Sequence, residues 1–280
     1  SLPVTKMAEV SRYPERVVGL HFFNPVHRMP LVEVIRAEKS SQAAIERAVL
    51  FARRLGKTVI VVEDRPGFLV NRLLLPYMNE AATLLQEGMA SDQIDAIAKK
   101  FGMPMGPIEL VDQVGIDVGF KVAHILEEAF GERMKVASIL EEVFRKGLLG
   151  KKSGKGFYLY DKKGKISSIN REIRTGPPAH AKASGEDAIK RMIYIMVNEA
   201  ARCLEERVTD SPASVDIGLI MGTGFPPFRG GLLRYADSIG LSPILKDLER
   251  FQKADEAART RFEPSGYFRK LVEQGANFYG

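Results

Sequence analysis

The chain has 280 residues, 45% of them apolar and 27% charged, which is ordinary for a globular protein long enough to form two domains. Its net charge of +6 comes from basic residues scattered among acidic ones, so the sequence does not predict a nucleic-acid-binding face. The single cysteine, Cys203, and four histidines without close ligand spacing predict neither a disulfide framework nor a metal site. No apolar run reaches the ~20 residues of a membrane span.

The first 66 residues combine short apolar runs with two helical segments. The patterns predict a helix with its lead-in at 1–16, strands at 17–23, 31–36 and 58–62, and a helix at 42–55 that ends at Gly56. The order of two strands, a helix and a third strand is typical of the end of an α/β sheet. The glycine-rich turn that a dinucleotide-binding sheet uses to hold phosphate, G-x-G-x-x-G, occurs nowhere in the chain.

The first two strands carry the candidate catalytic pair. His21 lies at the end of the first strand, in His21-Phe22-Phe23-Asn24-Pro25, and Glu33 lies at the centre of the second. If the strands pair antiparallel around a turn near His27, the two residues are directly opposed, with Cβ atoms about 5 Å apart. Such a pair is either a general base with its orienting carboxylate or a structural histidine beside a buried acid. The pattern alone does not separate the two.

The chain becomes helical after residue 67, with helices predicted at 68–90, 92–101, 108–115, 117–130 and 136–146 and an aromatic strand at 157–160. Asn71 is a polar residue in the first turn of an almost entirely apolar helix, where its residue type alone indicates a side chain bound to nearby backbone. Lys151, Lys152 and Lys155 form a basic cluster that fits a solvated loop or a contact for a polyanion. Residues 166–186 are rich in Lys, Gly, Pro and Ser and indicate a linker.

The segment after residue 187 repeats the first helical segment. The stretch Leu75 to Ala82 aligns with Ile195 to Ala201, and Val111-Asp112-Gln113-Val114-Gly115 aligns with Ala236-Asp237-Ser238-Ile239-Gly240. Repeats of this kind commonly pack together, because each buries a face that the other cannot bury alone. The sequence therefore predicts two helical domains.

The segment from His21 to Pro25, with Glu33 after it, resembles the active-site segment of 3-hydroxyacyl-CoA dehydrogenases. Further motifs of that family occur in order at 64–72, 150–158 and 224–231. The last motif and the second helical segment resemble the multifunctional α-subunits of fatty-acid oxidation complexes. The resemblance covers essentially the whole chain. It implies the C-terminal part of a Rossmann-type NAD-binding domain at 1–66, a helical dehydrogenase C-terminal domain at 67–165, a linker at 166–186 and a second helical domain at 187–280.

The resemblance also implies an activity, the NAD-dependent oxidation of an L-3-hydroxyacyl-CoA to the 3-ketoacyl-CoA. It makes His21 the general base and Glu33 its orienting carboxylate, and we expect Asn24 to contact the cofactor. Asn71 and Tyr235 are expected to bind the substrate, although residue type alone fits a structural role for Tyr235 as well. The implied partners are an acyl-CoA and a thiolase β-subunit, in a bacterial cytoplasm or a mitochondrial matrix.

The missing phosphate-binding turn is the main departure from the family. The resemblance places that turn upstream of Ser1, so we expect the chain to be a C-terminal fragment that is inactive alone. One alternative is a non-catalytic helical module that docks partner subunits of an oxidation complex. Another is a related dehydrogenase acting on a different hydroxy acid, which the second helical segment argues against.

Overall fold

The structure is a computed structural model that describes residues 2–173, 183–254 and 256–280. Its strands are β1 Gly19–Phe22, β2 Leu31–Arg36, β3 Thr58–Glu63, β4 Tyr158–Tyr160 and β5 Ile166–Ile169. Its helices are α1 Val4–Glu9, α2 Gln42–Arg54, α3 Val70–Gln86, α4 Ser91–Phe101, α5 Pro107–Val114, α6 Ile116–Phe130, α7 Ser138–Arg145, α8 Gly185–Glu205, α9 Pro212–Thr223, α10 Leu232–Ile239, α11 Leu241–Gln252, α12 Glu256–Arg261 and α13 Gly266–Glu273.

The chain divides into two compact units, and three of the four divisions fall inside helices, in α3, α8 and α11. The first unit comprises Ser1–Leu73, Val197–Leu245 and Pro264–Gly280, and the second comprises Leu74–Met196 and Lys246–Glu263. Each unit therefore contains residues from both helical segments of the sequence.

The first unit contains a three-stranded sheet in the order β1-β2-β3. β1 runs antiparallel to the central strand β2, whereas β2 and β3 are parallel and are joined by the crossover helix α2. The apolar residues of β2 are almost inaccessible to solvent, as expected of a strand with neighbours on both sides and cover on both faces. Glu33 lies at the middle of this strand, so the fold places a carboxylate in apolar surroundings.

Helix α9 approaches the same sheet closely at two glycines. A Cβ atom at Gly222 would lie 2.9 Å from the side chain of Leu31, and one at Gly218 would lie 3.1 Å from Ile60. Both positions also face Val70 at the start of α3, at 3.2 Å. The glycines let the backbone of α9 cover the sheet beside the first turn of α3, with no room for a larger residue unless the neighbouring side chains shift.

In the second unit, a buried carboxylate on α4 holds the start of α5. Asp95 accepts hydrogen bonds from the backbone N–H groups of Ile108 and Glu109, at 2.8 and 3.0 Å, and from the hydroxyl of Tyr158 at 2.7 Å. These N–H groups belong to the first turn of a helix, where no intrahelical acceptor exists. Burial raises the pKa of Asp95 to about 6, even though its hydrogen bonds oppose the change.

The first unit contains the same arrangement on α9. Asp216 accepts hydrogen bonds from the N–H groups of Leu233 and Arg234 at the start of α10, and from the hydroxyl of Tyr279 at 2.7 Å. A glycine precedes the held helix in each case, because a Cβ atom there would overlap the aspartate. The two helix starts are thus built from the same residue types in the same roles.

The predicted strands at 17–23, 31–36 and 58–62 and the helix at 42–55 are confirmed, with ends that differ slightly. The helix predicted at 68–90 ends earlier, at Gln86, because Gly88 takes a positive φ of 101°. The predicted linker at 166–186 includes β5 and the start of α8, and its residues 174–182 lie outside the described residues. The domain boundaries drawn from the sequence remain predictions.

Candidate active site

The pairing of β1 with β2 places His21 directly opposite Glu33. The antiparallel register predicted from the turn near His27 is therefore confirmed. His21 lies one residue before the end of β1, and the chain leaves the sheet through Phe23 and the cis peptide bond between Asn24 and Pro25. The imidazole thus lies at the edge of the sheet, where a ligand can reach it.

Glu33 is fully buried and is held by backbone rather than by a basic side chain. Its Oε1 atom accepts hydrogen bonds from the N–H groups of Leu69 and Val70, both 3.0 Å long. Its Oε2 atom is buried and has no hydrogen-bond partner among the residues that the structure describes. Burial raises the pKa of Glu33 to about 7, and the two backbone hydrogen bonds oppose that rise.

His21 is half-buried between two aromatic rings. Its ring centre lies 4.9 Å from that of Phe23, in an edge-to-face arrangement, and 5.6 Å from that of Phe68. Burial lowers the pKa of His21 below its usual value of 6.5, so the imidazole is mostly neutral at neutral pH. A neutral imidazole accepts a proton, as a general base must.

The expected contact between the two side chains is not formed. Within the described part of the chain, His21 and Glu33 are opposed in register, but no hydrogen bond or ion pair joins them. Strand pairing brings the two residues close together, whereas the hydrogen-bond donors to the carboxylate come from the first turn of α3. The unpartnered Oε2 atom remains as an acceptor for a proton donor at this site.

The turn before α3 is the part of the site that sequence analysis missed. Gly67 and Phe68 both have positive φ angles, 78° and 50°. Positive φ is uncommon for a residue with a side chain, and the surrounding structure must hold Phe68 in this conformation. The two residues lead the chain into α3 with the N–H groups of Leu69 and Val70 directed at Glu33. The break at Asp64 to Gly67 was the available signal.

The other predicted site residues lie at three different places in the first unit. Asn24 is exposed and lies two residues after the end of β1, whereas Asn71 is half-buried and comes one residue after the last N–H group that holds Glu33. Tyr235 is half-buried on α10, where the guanidinium carbon of Arg229 lies 4.9 Å from its ring centre. Backbone geometry therefore joins Asn71 to the His21–Glu33 pair, while Tyr235 belongs to a separate cluster around Arg229.

The described residues fit the nicotinamide side of a dinucleotide better than its phosphate side. A half-buried base lies near the end of β1, an unpartnered buried oxygen lies opposite it on β2, and an exposed asparagine follows β1 by two residues. A pyrophosphate needs a glycine-rich turn at a helix N-terminus, and the sequence contains no such turn. Among the described residues, no group of three or more His, Cys, Asp or Glu side chains is arranged to hold a metal ion.

A histidine base on the edge strand of an α/β sheet, opposed by a buried carboxylate on the central strand and followed by a helical region, is an arrangement that fits a dehydrogenase. Residues 1–65 match the NAD-binding domain of 3-hydroxyacyl-CoA dehydrogenase, and residues 67–160 and 188–277 each match its C-terminal domain. The chain belongs to the 3-hydroxyacyl-CoA dehydrogenase family.

Known relatives and solved structures agree with this assignment. The fatty acid oxidation complex subunit alpha of Shewanella amazonensis is 47% identical over 283 residues, but the chain spans only 40% of that relative's length. A 3-hydroxybutyryl-CoA dehydrogenase from Escherichia coli K12 matches 98% of this chain and 74% of its own, with a TM-score of 0.81 and 25% identity. The dehydrogenase part of C. elegans multifunctional enzyme 1 matches 96% of this chain and 63% of its own, with a TM-score of 0.66 and 30% identity.

Proposed function

We propose that this chain supplies the catalytic and substrate-binding residues for NAD-dependent oxidation of an L-3-hydroxyacyl-CoA to a 3-ketoacyl-CoA, within an α-subunit of a fatty-acid oxidation complex. The observation that carries the proposal is the opposition of a half-buried histidine and a fully buried glutamate that keeps one free carboxylate oxygen. Bound NAD would accept the hydride that leaves C3 of the substrate.

His21 takes the proton of the substrate hydroxyl as the hydride leaves. The imidazolium that forms is stabilised by Glu33, because its Oε2 atom accepts a hydrogen bond once the imidazole carries a second proton. The same positive charge lowers the pKa of Glu33 and favours its ionised form. The full burial of Glu33 strengthens this attraction, because charges interact more strongly in a medium of low polarity.

Three polar residues orient the reactants in this proposal. Asn24 contacts the nicotinamide from the end of β1, and Asn71 donates to the thioester or keto oxygen from the first turn of α3. Tyr235 closes the substrate pocket. The half-buried amide of Asn71 supports its role, since no side-chain hydrogen bond within the described residues occupies it.

The two helical segments, 67–165 and 187–280, are two copies of the family's C-terminal domain in this proposal. The double match to the C-terminal domain supports this division, as do the matching aspartate–tyrosine contacts of Asp95 and Asp216. The phosphates of NAD are held by residues outside this chain, because it lacks a glycine-rich turn. The chain alone is therefore inactive, and the remainder of the 1–66 domain completes the cofactor site.

A second candidate function is a helical module that docks partner subunits, such as a thiolase β-subunit. The missing glycine-rich turn favours it for this chain taken alone. The relatives named as subunit alpha of an oxidation complex are bacterial, which supports assembly of such a complex in a bacterial cytoplasm. In the described part of the chain, no helix is both long and apolar enough to cross a membrane.

The two functions are separated by titrating the chain with NADH and acetoacetyl-CoA. We expect no saturable binding of NADH, but a raised melting temperature with acetoacetyl-CoA that Asn71→Ala abolishes. Tyr13→Phe is the control variant, because Tyr13 is exposed and lies far from Asn71 in the sequence. It should keep the rise in melting temperature. An unchanged melting temperature with acetoacetyl-CoA would contradict the dehydrogenase proposal and leave the docking module.

A further inference from the structure

Arg72 is a fully buried arginine in the first turn of α3. Its Nε atom donates to Glu199 at 2.7 Å, and its two terminal nitrogens donate to the two oxygens of Glu206 at 2.7 and 2.9 Å. Both glutamates belong to the second helical segment. Burial by itself lowers the pKa of the guanidinium, but the neighbouring Cys203 and the two carboxylates raise it by a larger amount, so Arg72 stays charged.

The turn held by Arg72 is the turn that holds Glu33. The N–H groups of Leu69 and Val70 bind the carboxylate of Glu33, and the N–H group of Arg72 binds the carbonyl of Gly67 at the start of the same turn. Two sets of bonds therefore fix the first turn of α3. Its backbone N–H groups bind Glu33, and the side chain of Arg72 forms three hydrogen bonds with Glu199 and Glu206, an arrangement called here the arginine fork. A bidentate fork restrains orientation as well as distance.

We infer that Glu199 and Glu206 are positioning residues for the dehydrogenase reaction, which act through Arg72 to aim the first turn of α3 at Glu33. This inference rests on the proposed function. It gives the second helical segment a role in catalysis, because residues far along the chain fix the geometry of the carboxylate opposite His21. Neither glutamate touches the reacting atoms.

The chain contains a matched control for this arrangement. Arg191 donates from Nε to Glu80 at 2.7 Å and from its two terminal nitrogens to Glu87, both at 2.7 Å. The spacing of Arg191, Glu199 and Glu206 repeats that of Arg72, Glu80 and Glu87. The second fork has the same chemistry, but it lies in the other compact unit and binds no part of the turn at Glu33.

The test compares Glu206→Gln with Glu87→Gln, since each removes one charge from one fork and keeps the side-chain length. Amide hydrogen exchange is measured by NMR on the ¹⁵N-labelled chain. We expect Glu206→Gln to speed exchange of the Leu69 and Val70 amides by about tenfold or more, and Glu87→Gln to leave both rates unchanged. The melting temperatures of the two variants should fall by similar amounts, so that a difference in amide exchange does not reflect a difference in overall stability.

Turnover is then measured in the longer protein that completes the cofactor site. We expect Glu206→Gln to lower kcat with little change in KM, whereas Glu87→Gln keeps both. Equal amide exchange and equal kcat in the two variants would overturn the inference. Failure of the proposed function would give a different result. In that case His21→Gln and Glu33→Gln would retain turnover, regardless of the effects of Glu206→Gln and Glu87→Gln.

Discussion

The guanidinium of Arg72 and the carboxylate of Glu199 lie 2.7 Å apart, and both side chains are buried. A buried pair of this kind is costly to break, because the partner left behind is an uncompensated charge in a medium of low polarity. We expect Arg72→Ala to lower the free energy of unfolding by about 3–5 kcal/mol.

Denaturant unfolding checks this prediction, with Arg16→Ala as the control. Arg16 forms an ion pair with Glu15 at 3.7 Å, and both side chains are largely exposed. Exposed pairs contribute about 0–1 kcal/mol, so the control should remain close to the parent. A loss of less than ~1 kcal/mol in Arg72→Ala would contradict the importance of the buried fork.

The carboxyl group of Glu33 should make stability depend on pH. Burial raises its pKa from 4.5 to about 7, so between these values the folded chain keeps a proton that the unfolded chain has lost. The stability that Glu33 contributes is therefore fully present below its unfolded-state pKa of 4.5, and it is lost as the pH rises through its folded-state pKa of about 7. The loss is on the order of 3 kcal/mol, at about 1.4 kcal/mol per pKa unit.

Other buried acids, such as Asp95 and Asp112, follow the same direction, so the difference between two proteins is the useful measurement. Chemical unfolding of the parent and of Glu33→Gln at several pH values should give curves that diverge as the pH rises, with the variant the more stable. Parallel curves would show that Glu33 ionises normally in the folded chain.

The ring of Phe68 should control the ionisation of His21. It covers one side of the imidazole at 5.6 Å, and burial is the main cause of the lowered pKa. Phe68→Ala should therefore raise the pKa of His21 toward 6.5, as measured by NMR titration of the imidazole. Phe228→Ala is the control, because that ring is 75% exposed. An unchanged pKa in Phe68→Ala would assign the shift to other neighbours.

Glycine is required at residue 106, where the chain enters α5. A Cβ atom there would lie 2.1 Å from Cγ of Asp95, so the carboxylate that holds the start of α5 would have to move. We expect Gly106→Ala to destabilise the chain by about 2 kcal/mol or more.

The control is Gly119→Ala on α6, where an added Cβ atom meets nothing within 4 Å. Alanine has the higher helix propensity, so this variant should gain up to about 1 kcal/mol. Thermal unfolding of the two variants should shift in opposite directions. A common direction would contradict the steric account of Gly106.

Much of the fold and the central pair of the site could be predicted from the sequence. The register of His21 with Glu33 follows from local facts, because two short strands flank one turn and residue alternation is strict along a strand. The helix at 42–55 likewise has an apolar stripe and a glycine stop. These features depend on residues close together in the chain.

The contacts of Glu33 and Arg72 could not be predicted in the same way. Glu33 is bound by backbone N–H groups, which every residue except proline carries, so no side-chain pattern marks them. Arg72 binds Glu199 at a separation of 127 residues. A lone arginine in an apolar helix indicates a buried partner, but only the folded chain shows which of 35 acidic residues it is.

The two arginine forks also determine what a shortened polypeptide could do. A chain cut between β5 and α8 would keep Arg72 but lose Glu199 and Glu206, leaving a desolvated cation in the first turn of α3. It would still carry Glu80 and Glu87, which have the spacing of the lost pair. Two such chains can each lend carboxylates to the other's arginine, so the truncated protein should fold as a homodimer whose melting temperature rises with concentration.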